Sequence, residues 1–482
     1  MSIIIPANSA VGGGFDVDNS VRFNGGSSDD LTGTPSGTPT SRYKGTLSVW
    51  LKRSAIDEED FIFYGLEGSA NRMKITFKSD NKLQINTIQA GSNNLVYETN
   101  RLFRDVSAWY HIVIAIDTTL GTAGDRCRLY VNGVEETSFS TETDFSQNAI
   151  TFMSETNIPV YIGSQSTDNY YDGYMAEYVL IDGQQLAPTS FGEFDEDSGI
   201  WKPIDVSGLT FGTNGFYLDF ENSGSLGADV SGNSNNFTAR NLTAIDQSTD
   251  TCTNNAVTFM SNHPSADAFV LSQGGLQISK SGTGQVGLYG SSIMLSEGKW
   301  YWEVKFTAVS GSDRTRAGVA AYESVTGTST IQADYSGFEF TSSTSGRFSI
   351  TEAGSTTEVD GFNGFSEGDI IRFALDMDNT KLYVGRNGDW FNYSSSATGG
   401  NPASGSGYVT NSAVALAAPV TIYAGNSRPA TGSAMELQFN FGATNTFSVS
   451  SGNQDANGYG NFEYAVPSGY FSLNTKNLAE YG

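Results

Sequence analysis

One short segment of the first half of the chain concentrates carboxylates, an amide and tyrosines: Thr167-Asp-Asn-Tyr-Tyr-Asp-Gly173. Clustered oxygens of this kind are the ligands that Ca²⁺ prefers. Aromatic rings beside Asp and Asn also suit a sugar, whose C–H face stacks on a ring while its hydroxyls bind the polar groups. The alternative is that these Asp and Asn side chains only cap turns. The predicted ligand contacts are Asp168, Asn169, Tyr170 and Tyr171, and the predicted calcium ligands are Asp168 and Asp172.

Two further loops have a related composition. The segment Asp229-Val-Ser-Gly-Asn-Ser-Asn-Asn236 is a second calcium candidate. The segment Arg386-Asn-Gly-Asp-Trp-Phe-Asn-Tyr393 contains Asn-Gly after a strand-like run, which is typical of a hairpin turn. An exposed hairpin tip would offer Asp389, Trp390 and Tyr393 to a glycan or a protein partner. The alternative is that Trp390 folds back onto the body of the domain.

Catalytic patterns are weak in this sequence. Glu193-Phe-Asp-Glu-Asp-Ser198 approaches the Glu-x-Asp-x-x-Glu pattern of a glycosidase, but its last position is Ser and its context is turn-rich. His111 lies in a strand-like run, and His263 precedes Pro264 without a nucleophile nearby. Gly282-Thr-Gly-Gln-Val-Gly287 matches the dinucleotide fingerprint, but no helical pattern follows it. We therefore predict no enzyme and no catalytic residues.

The charge balance excludes several classes of protein. Asp and Glu number 52 against 26 Lys and Arg, a formal net charge of −26. Such a chain is repelled by phosphate backbones and by anionic membranes, so we expect neither nucleic-acid binding nor membrane insertion. The longest apolar runs, such as Ile112 to Ile116, are too short to span a bilayer. The first residues lack the features of a secretory signal, and two cysteines, Cys127 and Cys252, make no disulfide framework.

The periodicity of the sequence predicts strands. Short alternating runs rich in Val, Ile, Tyr and Phe dominate, as in Thr46 to Leu51, His111 to Ile116 and Tyr301 to Phe306. Gly, Asn, Asp and Ser clusters separate these runs, and no sustained helical series is found. The predicted fold class is therefore all-β, with sandwiches or jelly rolls.

The two halves repeat the same order of motifs, which predicts two sandwiches in tandem. Leu129-Tyr-Val-Asn-Gly133 in the first half matches Leu382-Tyr-Val-Gly-Arg-Asn-Gly388 in the second. The predicted boundaries are an N-terminal arm at 1–14, a first sandwich at 15–190, a connector at 191–262 and a second sandwich at 263–482. We expect the connector to add an edge strand to the second sandwich, and the arm to dock on a neighbouring subunit.

These motifs resemble two known families. The first half resembles the concanavalin A-like, laminin-G-type fold through Val21-Arg-Phe-Asn-Gly25, Leu47-Ser-Val-Trp50 and Gly173-Tyr-Met-Ala-Glu-Tyr-Val-Leu180. The second half is similar to a SPRY domain through Gly298-Lys-Trp-Tyr-Trp-Glu-Val304 and Gly368-Asp-Ile-Ile-Arg-Phe-Ala-Leu-Asp376. Laminin-G-type domains sometimes hold calcium at loop edges, and SPRY domains bind partners through loops at one end of the sandwich.

The combination of the two domains resembles virion proteins of tailed bacteriophages. This resemblance implies synthesis in the host cytoplasm and a place in the virion, as a tail fibre or appendage. It implies a lectin-like adhesin that binds a host surface glycan or receptor, as a homo-oligomer such as a trimer, next to other virion proteins. One alternative is a capsid decoration or tail-assembly protein that binds other virion proteins. A glycan-degrading enzyme is the other.

Overall fold

Alternating apolar residues form strands throughout the described part of the chain, as the sequence pattern predicts. The computed structural model describes residues 14–261, 269–280, 288–308, 315–321, 335–342, 345–352, 355–394, 397–410, 419–426 and 435–482. The described residues divide into two units, 14–255 and 256–482. Most of the predicted N-terminal arm lies outside the described residues, as do His263 and the segment 282–287.

The first unit is built from two large antiparallel sheets. Its strands are β1 (Ser20–Phe23), β2 (Asp30–Gly33), β3 (Lys44–Arg53), β4 (Asp60–Gly68), β5 (Asn71–Phe77), β6 (Lys82–Gln89), β7 (Ser92–Leu102), β8 (Tyr110–Asp117), β9 (Cys127–Val131), β10 (Val134–Glu135), β11 (Phe139–Thr143), β12 (Val160–Ile162), β13 (Gly173–Asp182), β14 (Gly192–Phe194), β15 (Trp201–Pro203), β16 (Phe216–Leu218), β17 (Thr238–Arg240) and β18 (Gln247–Ser248). Sheet A has the order β10-β9-β8-β3-β13-β1-β18, with β16 also paired to β13. Sheet B has the order β11-β7-β6-β5-β4-β12-β2-β17, and β14 and β15 form a separate hairpin.

The main core of the first unit contains apolar residues from both large sheets. Leu47, Ile114 and Leu180 of sheet A belong to the same buried cluster as Ile75 and Ile85 of sheet B. Burying one face of each sheet in this way produces a sandwich. The predicted all-β class with a sandwich in the first half of the chain is therefore confirmed.

The outer face of sheet A is also buried, under the segment that follows β13. Trp50 and Tyr174 of sheet A pack with Trp201 and Cys252. Val179 of the same sheet packs in a second cluster with Phe191, Phe211 and Tyr217. These covering residues belong to the expected connector, so most of that segment is an integral layer of the first unit.

The predicted role of the connector strand was wrong. Residues 216–218 form β16, which pairs with β13 of sheet A, and residues 238–240 form β17, which pairs with β2 of sheet B. The segment therefore extends the first sandwich instead of edging the second, because its aromatic residues bury the outer face of sheet A. Among the described residues, the second unit begins at Ala256.

The predicted Asn132-Gly133 hairpin joins β9 to β10, which pair through Val131 and Val134. Both turn residues have positive φ, 49° for Asn132 and 77° for Gly133. A Cβ on Gly133 would lie 2.3 Å from the Trp201 ring, so glycine is required here on both grounds.

The second unit also contains two large sheets. Its strands are β19 (Val270–Ser272), β20 (Gln277–Lys280), β21 (Leu288–Leu295), β22 (Lys299–Ala308), β23 (Thr315–Ala321), β24 (Tyr335–Ser342), β25 (Ser345–Glu352), β26 (Ser355–Asn363), β27 (Ile370–Asp376), β28 (Lys381–Arg386), β29 (Asp389–Asn392), β30 (Ala397–Thr398), β31 (Val409–Thr410), β32 (Val420–Asn426) and β33 (Met435–Asn440). Sheet C has the order β19-β20-β33-β22-β27-β28-β29-β30, with β31 beside β28, and sheet D has the order β21-β32-β23-β24-β25-β26.

The core of the second unit joins sheets C and D. Trp302 and Phe373 of sheet C lie in one buried cluster with Val319, Phe338 and Ile422 of sheet D. A seven-residue α-helix, Thr475–Tyr481, ends the chain. Within the described ranges, the helices are too short or too polar to cross a membrane.

Candidate functional site

The outer face of sheet B presents a continuous row of side chains across eight strands. Strand register places the members of this row, which we call the cross-strand row, opposite one another: Thr238, Thr32, Tyr161, Tyr64, Lys74, Asn86, Val96 and Thr143. Their strand neighbours Leu31, Ile162, Ile75, Ile85 and Leu95 lie in the core. Because successive side chains of a strand point to opposite faces, the row points away from the core.

Aromatic rings occupy the centre of this row. Tyr64 and Tyr161 lie 6.3 Å apart by ring centroids, and Phe61, on the same face, lies 5.5 Å from Tyr64. Phe61 and Tyr64 are buried, whereas Tyr161 is half-buried. The Arg240 guanidinium lies 5.6 Å from the centroid of the Tyr161 ring. Tyr161 is therefore the aromatic group of the row that solvent can reach.

Charged groups surround the aromatic centre. Lys74 pairs with Glu59 at 3.2 Å, and Arg240 pairs with the buried Asp30. Glu98 binds Lys78 at 2.8 Å and Lys82 at 3.2 Å. Burial of Glu98 opposes its ionisation, but hydrogen bonds from the two lysines and Ser140 lower its pKa to about 2.

These groups together form a polar surface with one accessible ring. The Lys74 ammonium group and the Arg240 guanidinium group lie on the face that carries Tyr161, whereas the Asn86 carboxamide is buried and donates to Asn93 Oδ1 and the Leu95 carbonyl. Ammonium and guanidinium groups hydrogen-bond hydroxyls, while the ring covers an apolar C–H face. The surface therefore suits a polyhydroxylated ligand.

The predicted loop 167–173 is only partly exposed. Asp168 and Asn169 are exposed and Tyr170 is half-buried. Tyr171 is completely buried; its hydroxyl donates to the Lys52 carbonyl at 3.1 Å and its ring packs on Phe23. This corrects the predicted contacts, because a ring inside the sandwich core cannot stack on a ligand.

The predicted calcium ligands lie in different surroundings. The Asp172 carboxylate accepts a hydrogen bond from the Gly25 amide at 2.9 Å, whereas Asp168 is exposed. Burial raises the pKa of Asp172 to about 7, with nearby Glu58 and Asp29 adding to the rise, and burial raises the pKa of Asp29 to about 6. Among the described residues, no group of three His, Cys, Asp or Glu side chains is arranged to hold a metal ion. Calcium binding stays a prediction.

The second calcium candidate, residues 229–236, uses its polar groups internally. The Asp229 carboxylate accepts hydrogen bonds from the amides of Tyr217, Ser231 and Asn235. Asn233 and Asn235 each donate to the Gly215 carbonyl. This corresponds to the turn-capping alternative, in which Asp and Asn replace backbone hydrogen bonds.

The hairpin near residue 390 takes the folded-back alternative. The Trp390 ring is half-buried, with the Arg372 guanidinium 4.4 Å from its centroid and Tyr301 packed against it. Tyr393 is half-buried against Phe348, and Asp389 is exposed. Ligand binding by Asp389, Trp390 and Tyr393 stays a prediction, with Asp389 as the most accessible of the three.

The residues considered for catalysis have structural partners. Lys202 pairs with both Glu193 and Asp195 on the β14–β15 hairpin. Asp195 also accepts hydrogen bonds from the Ser198 amide and hydroxyl, which lower its pKa. His111 is completely buried between the Trp50 and Trp201 rings.

The cross-strand row was missed at the sequence level. Alternation in β4 to β7 does mark Tyr64, Lys74, Asn86 and Val96 as facing away from the core. The same alternation occurs in sheet A, where the outward residues are covered. Only the location of the covering segment distinguishes the open face from the closed one.

Comparison with known families supports the interpretation of the first unit. Residues 24–185 match the family described as the concanavalin A-like lectin/glucanases superfamily, which confirms the concanavalin A-like prediction for the first half. That match covers about a third of the chain. No curated protein matches the chain significantly.

Solved structures with similar folds include laminin, SPRY and pentraxin domains. Domains LG4-5 of the mouse laminin α1 chain match at 10% identity and a TM-score of 0.29, covering 91% of this chain and 93% of that one. The SPRY domain of human HERC1 matches at 15% identity and a TM-score of 0.27, and the match covers 38% of this chain and 95% of that one. A heptameric SAP-like pentraxin from Limulus polyphemus matches at 16% identity and a TM-score of 0.28, and the match covers 36% of this chain and 80% of that one. At these identities and TM-scores, the matches say nothing about the ligand of this chain.

Proposed function

We propose that this protein is a lectin-like adhesin of a tailed-phage virion, and that the outer face of sheet B binds host surface glycans. The observation that carries the proposal is the cross-strand row, which places the accessible Tyr161 ring beside Arg240 and on the same face as Lys74. The family match of residues 24–185 to lectin-type sandwiches agrees with it. The virion assignment rests on the resemblance of the two-domain sequence to phage proteins.

The proposed mechanism is multivalent binding without catalysis. Each sheet face supplies one accessible ring and a few polar contacts, so a single site binds weakly. A trimer on a tail fibre or appendage places several copies together, and linked sites raise overall avidity by about 10²–10⁴-fold. The net charge of −26 agrees with a surface that does not bind nucleic acid.

Binding of the full-length chain to a glycan array tests the proposal. We expect a defined set of glycans to bind, and Tyr161→Ala to weaken their binding roughly tenfold, equivalent to about 1.4 kcal/mol of lost ring contact. Tyr43→Ala is a matched control, because Tyr43 is also half-buried in the first unit but precedes a strand of sheet A. Equal binding by both variants would remove the sheet B face from the proposal.

The test also distinguishes the two alternatives. Glycan binding absent from the array, together with regular placement of the protein on a capsid lattice, would favour a decoration protein. Release of sugar products from a bound glycan would favour a degrading enzyme, and the loss of that release in Glu193→Gln or Asp195→Asn would assign it to the acidic hairpin.

A further inference from the structure

A small pocket adjoins one end of the cross-strand row. Its volume is about 120 Å³, and it lies between three segments: the end of β2 with the loop that follows (33–36), Asn214 and Phe216 near the start of β16, and the loop before β17 (234–237). Gly33 follows the row residue Thr32, and Phe237 precedes the row residue Thr238. The pocket therefore lies next to the two strands, β2 and β17, at which the row ends.

Asn214, one of the residues that line the pocket, carries a buried acceptor with no donor among the described residues. Asn214 is 1% exposed, and its Nδ2 donates to the carbonyls of Gly37 (2.9 Å) and Ser154 (2.7 Å). Since both partners are acceptors, the orientation of the carboxamide is fixed. Its Oδ1 is buried and accepts no hydrogen bond from the described residues. A buried acceptor left unpaired is unfavourable, which points to a donor supplied from outside the chain.

The walls of the pocket are apolar on one side and uncharged throughout. Phe216 and Phe237 are buried, with their rings edge-to-face at 4.6 Å. The other lining residues are glycine, proline, threonine, serine and asparagine. A matching ligand group is therefore neutral, with one N–H or O–H donor and an apolar part.

The pocket is held in place without a ligand. The Asn235 carboxamide donates to the carbonyls of Thr213 and Gly215, and the Asp229 carboxylate binds the Asn235 amide at 2.7 Å. The Phe237 amide donates to the Gly227 carbonyl. A preformed site loses little conformational freedom when it binds.

We infer that this pocket binds the acetamido group of a terminal N-acetylated sugar. The amide N–H donates to Asn214 Oδ1, and the methyl group packs against Phe216 and Phe237. A cavity of about 150 Å³ accepts a benzene molecule, so the available volume suits an acetamido group. The inference rests on the proposed glycan binding and specifies the sugar at the end of that glycan.

Matched oligosaccharides test the inference on the full-length protein. The probes are oligosaccharides that end in N-acetylglucosamine or N-acetylgalactosamine, each with its unacetylated amine and its parent hexose, measured by titration calorimetry. We expect the acetylated member of at least one set to bind at least about tenfold more tightly than its two partners, because they lose the methyl contact and the amide donor.

A pocket-filling variant identifies the site. Ser36 lines the pocket and is exposed, so Ser36→Trp fills the entrance without changing the buried Asn214. We expect this variant to lose the preference for the acetylated sugar. Thr137→Trp is the control, since Thr137 is an exposed threonine between β10 and β11, and it should keep the preference.

The outcomes separate this inference from the proposed function. Equal affinity within every set, with Tyr161-dependent binding intact, overturns the pocket assignment and leaves the adhesin proposal standing. A preference that survives in Ser36→Trp places acetamido recognition elsewhere and also overturns it. Failure of all glycans to bind overturns both.

Discussion

At the scale of single residues, burial converts reactive side chains into structural ones. His111 could serve as a base by its chemistry, but the Trp201 indole N–H donates to its Nδ1 at 2.9 Å. Its Nε2 lies 2.8 Å from the Ser48 hydroxyl. Because Nδ1 accepts a hydrogen bond, the ring is neutral with its proton on Nε2. The contact that resembles a Ser-His pair is therefore part of the packing outside sheet A.

We predict that His111 stays neutral in the folded protein down to about pH 4. Burial lowers its pKa to about 3, from an ordinary value of 6.5. The unfolded chain binds this proton more readily, so His111 lowers stability progressively as the pH falls from 6.5 towards 3. Histidine NMR signals followed in His263→Gln, which leaves a single histidine, check this. A midpoint between pH 6 and 7 would contradict the buried, neutral ring.

Asp172 produces the opposite pH dependence. Its folded pKa of about 7 exceeds the ordinary value of 3.8, so the folded state holds a proton that the unfolded state releases. Stability from this group is complete below about pH 4 and is lost as the pH rises to 7. We predict that Asp172→Asn, which keeps an acceptor for the Gly25 amide, gains about 3 kcal/mol relative to the native protein between pH 4 and pH 7.

Denaturant unfolding at pH 4, 5.5 and 7 measures this difference. Asp168→Asn is the control, because Asp168 is exposed in the same loop. Parallel stability curves for the native protein and Asp172→Asn would show that Asp172 ionises as freely when folded as when unfolded.

At the scale of elements, the segment after β13 decides which sheet face is available. Trp201, Phe191, Phe211 and Tyr217 cover sheet A, whereas the cross-strand row of sheet B carries polar groups. Asp250 fixes the end of this segment, since its carboxylate binds Lys52 Nζ at 2.9 Å and the Trp109 indole N–H at 3.1 Å. All three residues are buried. The segment is therefore held by packing and by a buried ion pair.

We predict that a fragment ending at residue 190 does not fold stably, whereas one ending at residue 255 does. The shorter fragment exposes the outer face of sheet A, including Trp50, Tyr174 and Val179, and leaves Lys52 without its carboxylate. Exposed apolar surface of this extent favours aggregation, and breaking a buried ion pair costs about 3–5 kcal/mol. Limited proteolysis and thermal unfolding, measured on the fragments 14–190 and 14–255, check this prediction. Equal resistance of both fragments to proteolysis would contradict the proposal that residues 191–255 stabilise the first unit by covering sheet A.

At the scale of the whole molecule, two separate cores imply two separate stabilities. Ile114 lies in the core of the first unit and Phe373 in that of the second, and each is completely buried. Each unit is long enough to bury a substantial core of its own. The two sandwiches should therefore respond independently to core substitutions.

Differential scanning calorimetry on the full-length chain tests this independence. We predict two unfolding transitions, with Ile114→Ala lowering only one of them and Phe373→Ala only the other. Each substitution removes completely buried apolar atoms and costs about 2–5 kcal/mol in its own unit. A single transition lowered equally by both variants would mean that the two units unfold together.

Local patterns in the sequence determined the class of fold and some of its turns. Alternation of apolar residues predicted strands such as β3, β8 and β22, and Asn132-Gly133 predicted the β9–β10 hairpin. These features depend on residues that are close in sequence and on backbone conformation, so the sequence alone is sufficient to predict them. Such a reading also located the polar loops, but it did not show that Tyr171 is buried within one of them.

Only the tertiary structure decided which surfaces are covered and which pairs meet. Asp250 and Lys52 are distant in sequence, as are Tyr161 and Tyr64, yet each pair is in contact or adjacent in the fold. The assignment of residues 191–255 to the first sandwich depends on where their aromatic side chains are buried, which composition does not reveal. Burial results from contacts between remote segments, and it is burial that leaves sheet B open and closes sheet A.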